Sequence, residues 1–379
     1  MPVGTVLFLF VTLCTAILAA PISLPTFLNL APGPSSRLNM SRLERICEWH
    51  KVSDLWNERR ARSSQKGVVF WECRFGGEGC GGNADRLRGI SGALFNAIRI
   101  GYDFAILWDN PVDMKTYLVP RFPPLKNMSD LPLHSNSTLA VASFDHKVSL
   151  LRECEWNKFE NVAVRLNELY PVECGDEDDL HLQSFFFTNK ANVSDPHWNR
   201  YPCLGCVFWY LFSVSFQLQS SVEHELELFI DWTNAHNRSH FPTVAIHFRG
   251  GDHYMNVAKE SYKGDKRLEL TSLHKMIRCA DKLSSSGPPT IFLCADSTAA
   301  KEYAISHYGH RLYTSNVVPF HSDRGGIDPG NGTLGSWTDI LLLALADGIV
   351  LSSSGYGVLA AQIGMYDRTQ VITSAKCLS

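Results

Sequence analysis

TVAIHFRGGD, Thr243 to Asp252, is the stretch whose reading decides the fold. Val244, Ala245, Ile246 and Phe248 make the short apolar run of a strand buried in a parallel sheet, and Gly250-Gly251 ends that run abruptly. Ligands of α/β proteins gather beyond such strand ends. Arg249 emerges there with a planar fork of donors suited to phosphate, His247 precedes it on the same face, and Asp252 can brace the turn. Phosphate is the ligand this chemistry calls for. The plainer alternative is that a local carboxylate such as Asp252 pairs with Arg249 to hold the turn.

Downstream of this stretch, strand-like and helix-like segments alternate. The pattern predicts a helix around Leu273–Leu283, a strand over Thr290–Asp296, a helix around Thr298–His307 and a strand in Arg311–Val318. It continues with a helix over Ser336–Ala346, a strand over Gly348–Ser353, a helix over Tyr356–Gly364 and a last strand in Thr369–Ser374. Upstream, Gly67–Cys73 reads as a first strand feeding a glycine cluster. A helix from Ala84 to Gly101 follows, with Leu87, Ile90, Leu94 and Ile98 on one side, and then a strand over Asp103–Asp109. Ser41–Arg62 reads as one amphipathic helix through Leu43, Ile46, Cys47, Val52 and Leu55. Between the halves, Asn110–Ser137 is Pro-rich and reads as an exposed excursion, Asp145–Val172 as helices, and Cys203–Trp232 as aromatic-rich helices.

A chain of 379 residues, 45% of them hydrophobic, is long enough for two cores. The expected division is a leader over 1–20, a stem over 21–40, a first α/β domain over 41–238 and a second over 239–379. The net charge of -3 comes with no concentrated basic face, which argues against a nucleic-acid partner. Val3 to Ala20 carry no charge and the first basic side chain is Arg37, so this segment reads as a secretory signal or a signal anchor, the only membrane contact expected. Of eleven cysteines, ten remain once Cys14 of the leader is set aside, an even number suited to disulfides in an oxidising lumen. Cys203-Leu-Gly-Cys206 lacks a second Cys/His pair at zinc-finger spacing, and disulfides are the better reading for it. Sequons at Asn39, Asn127, Asn136, Asn192, Asn237 and Asn331 fit the same compartment, the endoplasmic reticulum, the Golgi or beyond. The acidic run Gly175–Asp179 invites a cation–diphosphate reading, but its flanks are those of a solvated loop, so no metal is expected there.

Two further groups bear on chemistry. Ser353 and Ser354 sit where a strand meets a helix, and hydroxyls and free amides at such a junction face an anion or simply cap the helix. Asp296 ends another strand and is a second nucleotide-side candidate. Gly77 to Gly82 matches G-x-G-x-x-G between a strand and a helix, and Asp109 ends the next strand, which is how a dinucleotide-dependent oxidoreductase would be arranged.

His-x-Arg-x-Gly-Asp after an apolar strand resembles the central motif of the fucosyltransferase superfamily that includes protein O-fucosyltransferases, α1,6-fucosyltransferases and the rhizobial nodulation fucosyltransferases. Arg74 to Ile98 is similar to that superfamily's Gly-rich opening motif, and Trp337 to Gly364 to its closing motif, in the same order. The resemblance implies a GT-B fold, two Rossmann-like domains facing across a cleft, and inverting transfer of fucose from GDP-fucose to a glycan or protein acceptor with no metal or other cofactor. It assigns Arg249 to the departing diphosphate and His247 and Asp339 to the nucleoside, the carboxylate accepting from the guanine N–H groups. On the residues alone, Asp339 would be a helix charge favoured by the macrodipole. Asn83, Asp85 and Arg86 would line the opposite cleft wall toward sugar or acceptor, and Asp85, Glu260 or His253 would take the acceptor proton, Asp85 and Glu260 ranking together. Gly250 stands where some members carry a second arginine. A secreted carbohydrate- or nucleotide-binding relative without catalysis is the alternative of a different class.

Overall fold

The run from Thr243 to Phe248 is the middle strand of a five-stranded sheet in the computed structural model, which describes residues 38, 40–62, 67–73, 81–121, 138–143, 204–238, 243–251, 268–284, 287–318 and 328–378. In chain order the first half holds helices α1 (Met40–Cys47) and α2 (Trp49–Arg62), strand β1 (Gly67–Cys73), helix α3 (Asn83–Ile100), and strands β2 (Asp103–Trp108), β3 (Leu118–Pro120) and β4 (Thr138–Ser143). Helix α4 (Leu204–Leu211), strand β5 (Phe212–Val214) and helix α5 (Phe216–Ala235) lead to β6 (Thr243–Phe248). After it come α6 (Ser272–Lys282), β7 (Thr290–Ala295), α7 (Thr298–Tyr308), β8 (Leu312–Thr314), α8 (Pro329–Leu345), β9 (Gly348–Leu351), α9 (Gly355–Ile363), β10 (Val371–Thr373) and α10 (Ser374–Leu378).

The second-half sheet runs β10-β9-β6-β7-β8, and every pairing in it is parallel. The chain steps outward from β6 through β7 to β8, then returns to lay β9 on the other side of β6. All six residues of β6 are buried because both faces of the sheet are covered. Val244, Ile246 and Phe248 meet Leu273, Met276 and Ile277 of α6 and Ala300 and Ala304 of α7. Ala245 and its neighbours Phe292, Ile349 and Leu351 face α8 and α9, in a core that continues into the first half.

A separate parallel sheet, β2-β1-β4, forms the first half. Helix α3 crosses between β1 and β2, and the four apolar side chains expected on one side, Leu87, Ile90, Leu94 and Ile98, are fully buried. It ends at Gly101 (φ +72°), where a Cβ would lie 2.5 Å from the Arg59 carbonyl oxygen. The two sheets share one continuous apolar core. Trp337 of α8 lies 6.0 Å from Phe208 of α4 and 6.5 Å from Trp108 of β2, ring centre to ring centre.

Several expectations are corrected. The single helix over Ser41–Arg62 is two, broken at Glu48, whose φ is +48°. The break turns Trp49 inward, where its indole N–H donates to the Cys206 carbonyl at 3.1 Å beside the Cys47–Cys206 disulfide. The excursion after Asn110 is not exposed along its first part. Met114, Tyr117 and Leu118 are buried, and Leu118–Pro120 pairs antiparallel with a strand, Phe212–Val214, that the aromatic run concealed. Helix α8 begins at Pro329, seven residues earlier than the apolar pattern showed, because Asp328 caps it and accepts from Asn331 N at 3.0 Å with proline in the first turn. The ten cysteines do not all pair: Cys47–Cys206 and Cys279–Cys377 are bonded and Cys73 is in a disulfide, but Cys294 is free and buried. The bond to Cys47 removes Cys206 from any zinc reading. The leader and stem to residue 37, Asp145–Val172, Gly175–Asp179, Asp252, His253 and Glu260 lie outside the described residues.

Candidate functional site

Because the strand order reverses between β6 and β9, the carboxyl ends of these two strands lie side by side, the place where open α/β sheets bind ligands. Both ends are polar. His247 and Arg249 leave β6, and Ser352, Ser353 and Ser354 leave β9 into the N-terminus of α9.

Ser352 ties the two ends together. Its backbone N–H donates to the His247 carbonyl at 3.0 Å, and its hydroxyl oxygen lies 2.9 Å from Arg249 N and 3.0 Å from His247 Nδ1. The His247 ring stacks on Tyr356, centroids 5.4 Å apart and planes 23° apart. Gly357 makes that approach feasible, since a Cβ there would stand 2.7 Å from His247 Nδ1. The Tyr356 hydroxyl donates to the Ser336 carbonyl at 2.6 Å, and burial pushes this phenol well above its ordinary range, so it stays a donor. Ser336 Oγ in turn accepts from Asn83 Nδ2 at 3.0 Å. An unbroken set of contacts therefore runs from Arg249 through Ser352, His247, Tyr356 and Ser336 to the first residue of α3. Asn83 is buried, and its Oδ1 has no partner among the described residues.

Arg249 is braced from β7. Its Nε lies 3.4 Å from Asp296 Oδ2, and the two oxygens of Asp296 accept from Gly250 N and Gly251 N at 2.9 Å each. Gly251 has φ of +104°, a conformation that glycine adopts without strain. The carboxylate that holds the Arg249 turn is thus Asp296. Burial raises the pKa of Asp296, while Arg249 and the two glycine amides pull it back toward ionisation.

Asp339 lies one strand further on, on the face His247 occupies. Cys294, the register partner of His247 in β7, donates its thiol to Asp339 Oδ2 at 3.4 Å, and Ser315 Oγ donates to Oδ1 at 2.8 Å. Lys301, itself buried, donates to the carbonyls of Ser315 at 2.9 Å and Val317 at 2.6 Å. Burial raises the pKa of Asp339, against Lys301 and the two hydrogen bonds. Ser354 caps α9, accepting from Tyr356 N at 3.3 Å, and Ser353 is exposed at the same turn.

On the first-half side, Asp85 closes the start of α3. Its Oδ2 accepts from Gly82 N at 3.2 Å and its Oδ1 lies 3.4 Å from the Arg88 guanidinium. Arg86 is fully buried: Nε donates to Gly81 O at 2.9 Å, the fork donates to Asn110 O, and the guanidinium lies over Trp108 at 5.2 Å. It fastens the end of the glycine loop to the turn after β2. His247, Arg249, Asp296, Asp339, Ser353, Ser354 and Asn83 therefore gather around one set of strand ends, with Asp85 and Arg86 at the adjoining helix start. Sequence reasoning missed Ser352, Ser336, Tyr356, Cys294, Ser315 and Lys301. Ser352 belonged to the same serine run and Gly-Tyr-Gly at 355–357 was a visible signal; the other partners depend on sheet register.

Among the described residues no group of three or more His, Cys, Asp or Glu side chains is placed to hold a metal ion. No protein-family model and no curated protein sequence matches the chain. Among solved structures the chain is similar to NodZ α1,6-fucosyltransferase soaked with GDP-fucose, a protein whose structure is also known from Bradyrhizobium, at 15% identity over 79% of this chain and 92% of that one, TM-score 0.39. It is also similar to Arabidopsis thaliana FUT1 in complex with GDP, at 13% identity over 91% of this chain and 79% of that one, TM-score 0.40.

Proposed function

We propose that the chain is a glycosyltransferase of the secretory lumen that moves fucose from GDP-fucose to a glycan or protein acceptor, inverting the sugar and using no metal. The observation that carries this reading is convergence. Three stretches that resemble the opening, central and closing motifs of fucosyltransferases are joined by the contacts from Asn83 through Ser336, Tyr356 and His247 to Arg249.

In this reading residues 239–379 hold the nucleotide and 41–238 face the acceptor, behind a leader over 1–20. Arg249 and the N-terminus of α9 with Ser353 and Ser354 neutralise the diphosphate as the sugar C–O bond breaks, work that charge-assisted donors at a strand end can do without a cation. Asp339 accepts from the guanine N–H groups and His247 contacts the nucleoside. The acceptor oxygen attacks the opposite face of the sugar and gives up its proton to Asp85 or Glu260.

A thermal-shift comparison tests this directly. GDP and GDP-fucose are expected to stabilise the chain, by about 2.7 kcal/mol at a hundredfold excess over Kd, while UDP and NAD do not. Arg249→Ala is expected to abolish the GDP shift and transfer without preventing secretion. Stabilisation by NAD instead, or normal turnover in Arg249→Ala, sinks the reading. One observation favours a second, non-catalytic reading: both oxygens of Asp85 are engaged, by Gly82 N and by Arg88. GDP binding with no GDP released from GDP-fucose across a broad acceptor panel would select it.

A further inference from the structure

Ser352 is 2% exposed at the end of β9. The Arg249 amide, 2.9 Å from its oxygen, can only donate, so it occupies one lone pair of the hydroxyl. The hydroxyl has a single proton, and among the described residues the one acceptor within reach of it is His247 Nδ1 at 3.0 Å. Were Nδ1 protonated, two donors would converge on the serine oxygen. The hydroxyl proton would then be left without an acceptor in a position closed to water, an arrangement that buried polar groups avoid. The ring has little freedom to evade this choice. Tyr356 covers one face at 5.4 Å, and α9 approaches so closely at Gly357 that a single carbon there would collide with Nδ1.

We infer that Ser352 is a positioning residue, which fixes His247 as the neutral tautomer protonated on Nε2 and with the same oxygen sets the first amide of the Arg249 turn. His247 then presents a ring N–H donor. Resting on the nucleotide-binding reading, a nucleoside diphosphate that reaches this nitrogen meets a donor, and a donating group at that place is rejected. A serine at this position thus selects ligands it does not touch.

The test is a two-bond 1H–15N correlation spectrum of the full chain with labelled histidine, the His247 signals identified by their loss in His247→Asn. The expected wild-type pattern is that of an imidazole with a bare Nδ1 and a proton on Nε2. Ser352→Ala is expected to mix the tautomers and to raise the Kd for GDP about tenfold, equivalent to about 1.4 kcal/mol, and Ser352→Thr, which keeps the hydroxyl, to restore both. A wild-type ring protonated on Nδ1 overturns the inference, as does an unchanged Nε2-protonated ring in Ser352→Ala. If Ser352→Ala does not fold, the wild-type spectrum decides alone. A wild-type chain with the expected ring that binds no GDP supports the tautomer assignment and overturns the proposed function.

Discussion

Asp296 shows how one side chain can fix the course of a turn. It sits under the Arg249 turn and accepts from two consecutive amides, Gly250 N and Gly251 N. Asp296→Asn replaces one acceptor oxygen by a donor that faces an N–H. The expected cost is about 1–3 kcal/mol in denaturant unfolding, with weakened GDP binding as Arg249 loses its brace. Glu225 of α5 reports a different effect. Its Oε2 accepts from the Tyr313 hydroxyl at 3.1 Å, and burial first, then the nearby Asp339, raises its pKa, as burial also does for Asp296 and Asp339. A carboxyl whose folded pKa lies above its unfolded one is held more tightly by the folded state when protonated. Its stabilising contribution is full below the unfolded pKa and is lost as pH rises through the folded one. Glu225→Gln keeps an acceptor for Tyr313 and removes this titration. Unfolding midpoints of variant and parent are expected to coincide at acidic pH and to separate in the variant's favour as pH rises; a constant gap would contradict the assignment.

Among the elements, those legible in the sequence were the ones whose environment is uniform along their length. β6, β7 and β9 are apolar throughout because both faces of the sheet are covered, and α3 shows its buried side at three- and four-residue spacing. Where a tertiary contact overrides local preference, the reading failed. Nothing near Glu48 announces a left-handed residue; the turn exists because Trp49 and Cys47 both reach Cys206, 159 residues away from Cys47. The first turns of α8 were hidden by Gly330, Gly332 and Gly335, although Asp328-Pro329 was a cap signal on the page. The site divides in the same way. His247 and Arg249 are legible because the strand itself points them, whereas the partners of Asp339 come from β7 and from the end of β8, whose alignment only the folded sheet defines. Gly205 is a sharper test at this scale. Helix α4 lies so close to α9 that a Cβ at Gly205 would stand 2.0 Å from the Gln362 carbonyl oxygen. Gly205→Ala should force the helices apart, lowering stability by about 1–3 kcal/mol and, because α9 carries Tyr356 and Gly357 against His247, weakening GDP binding in proportion. Destabilisation with unchanged affinity would show that the two ends of α9 are uncoupled.

Across the whole molecule, the two sheets are distinct but their helices are not. Trp337, Phe208 and Trp108 form an aromatic seam between the halves, each ring worth about 1.5–3 kcal/mol in burial, and the Cys47–Cys206 bond fastens α1 to α4 at the same level. Residues 239–379 expressed alone should therefore fail to fold, because α8 would present Trp337, Ile340 and Leu341 to water, and the full chain should unfold in one calorimetric transition. Two well-separated transitions would contradict this.

The same seam limits how far the two halves can part. Swinging the halves apart like the covers of a book would wet several stacked rings at once, so the seam holds the two sheets at a fixed spacing. Crystals of this chain grown with and without GDP would then superpose sheet on sheet.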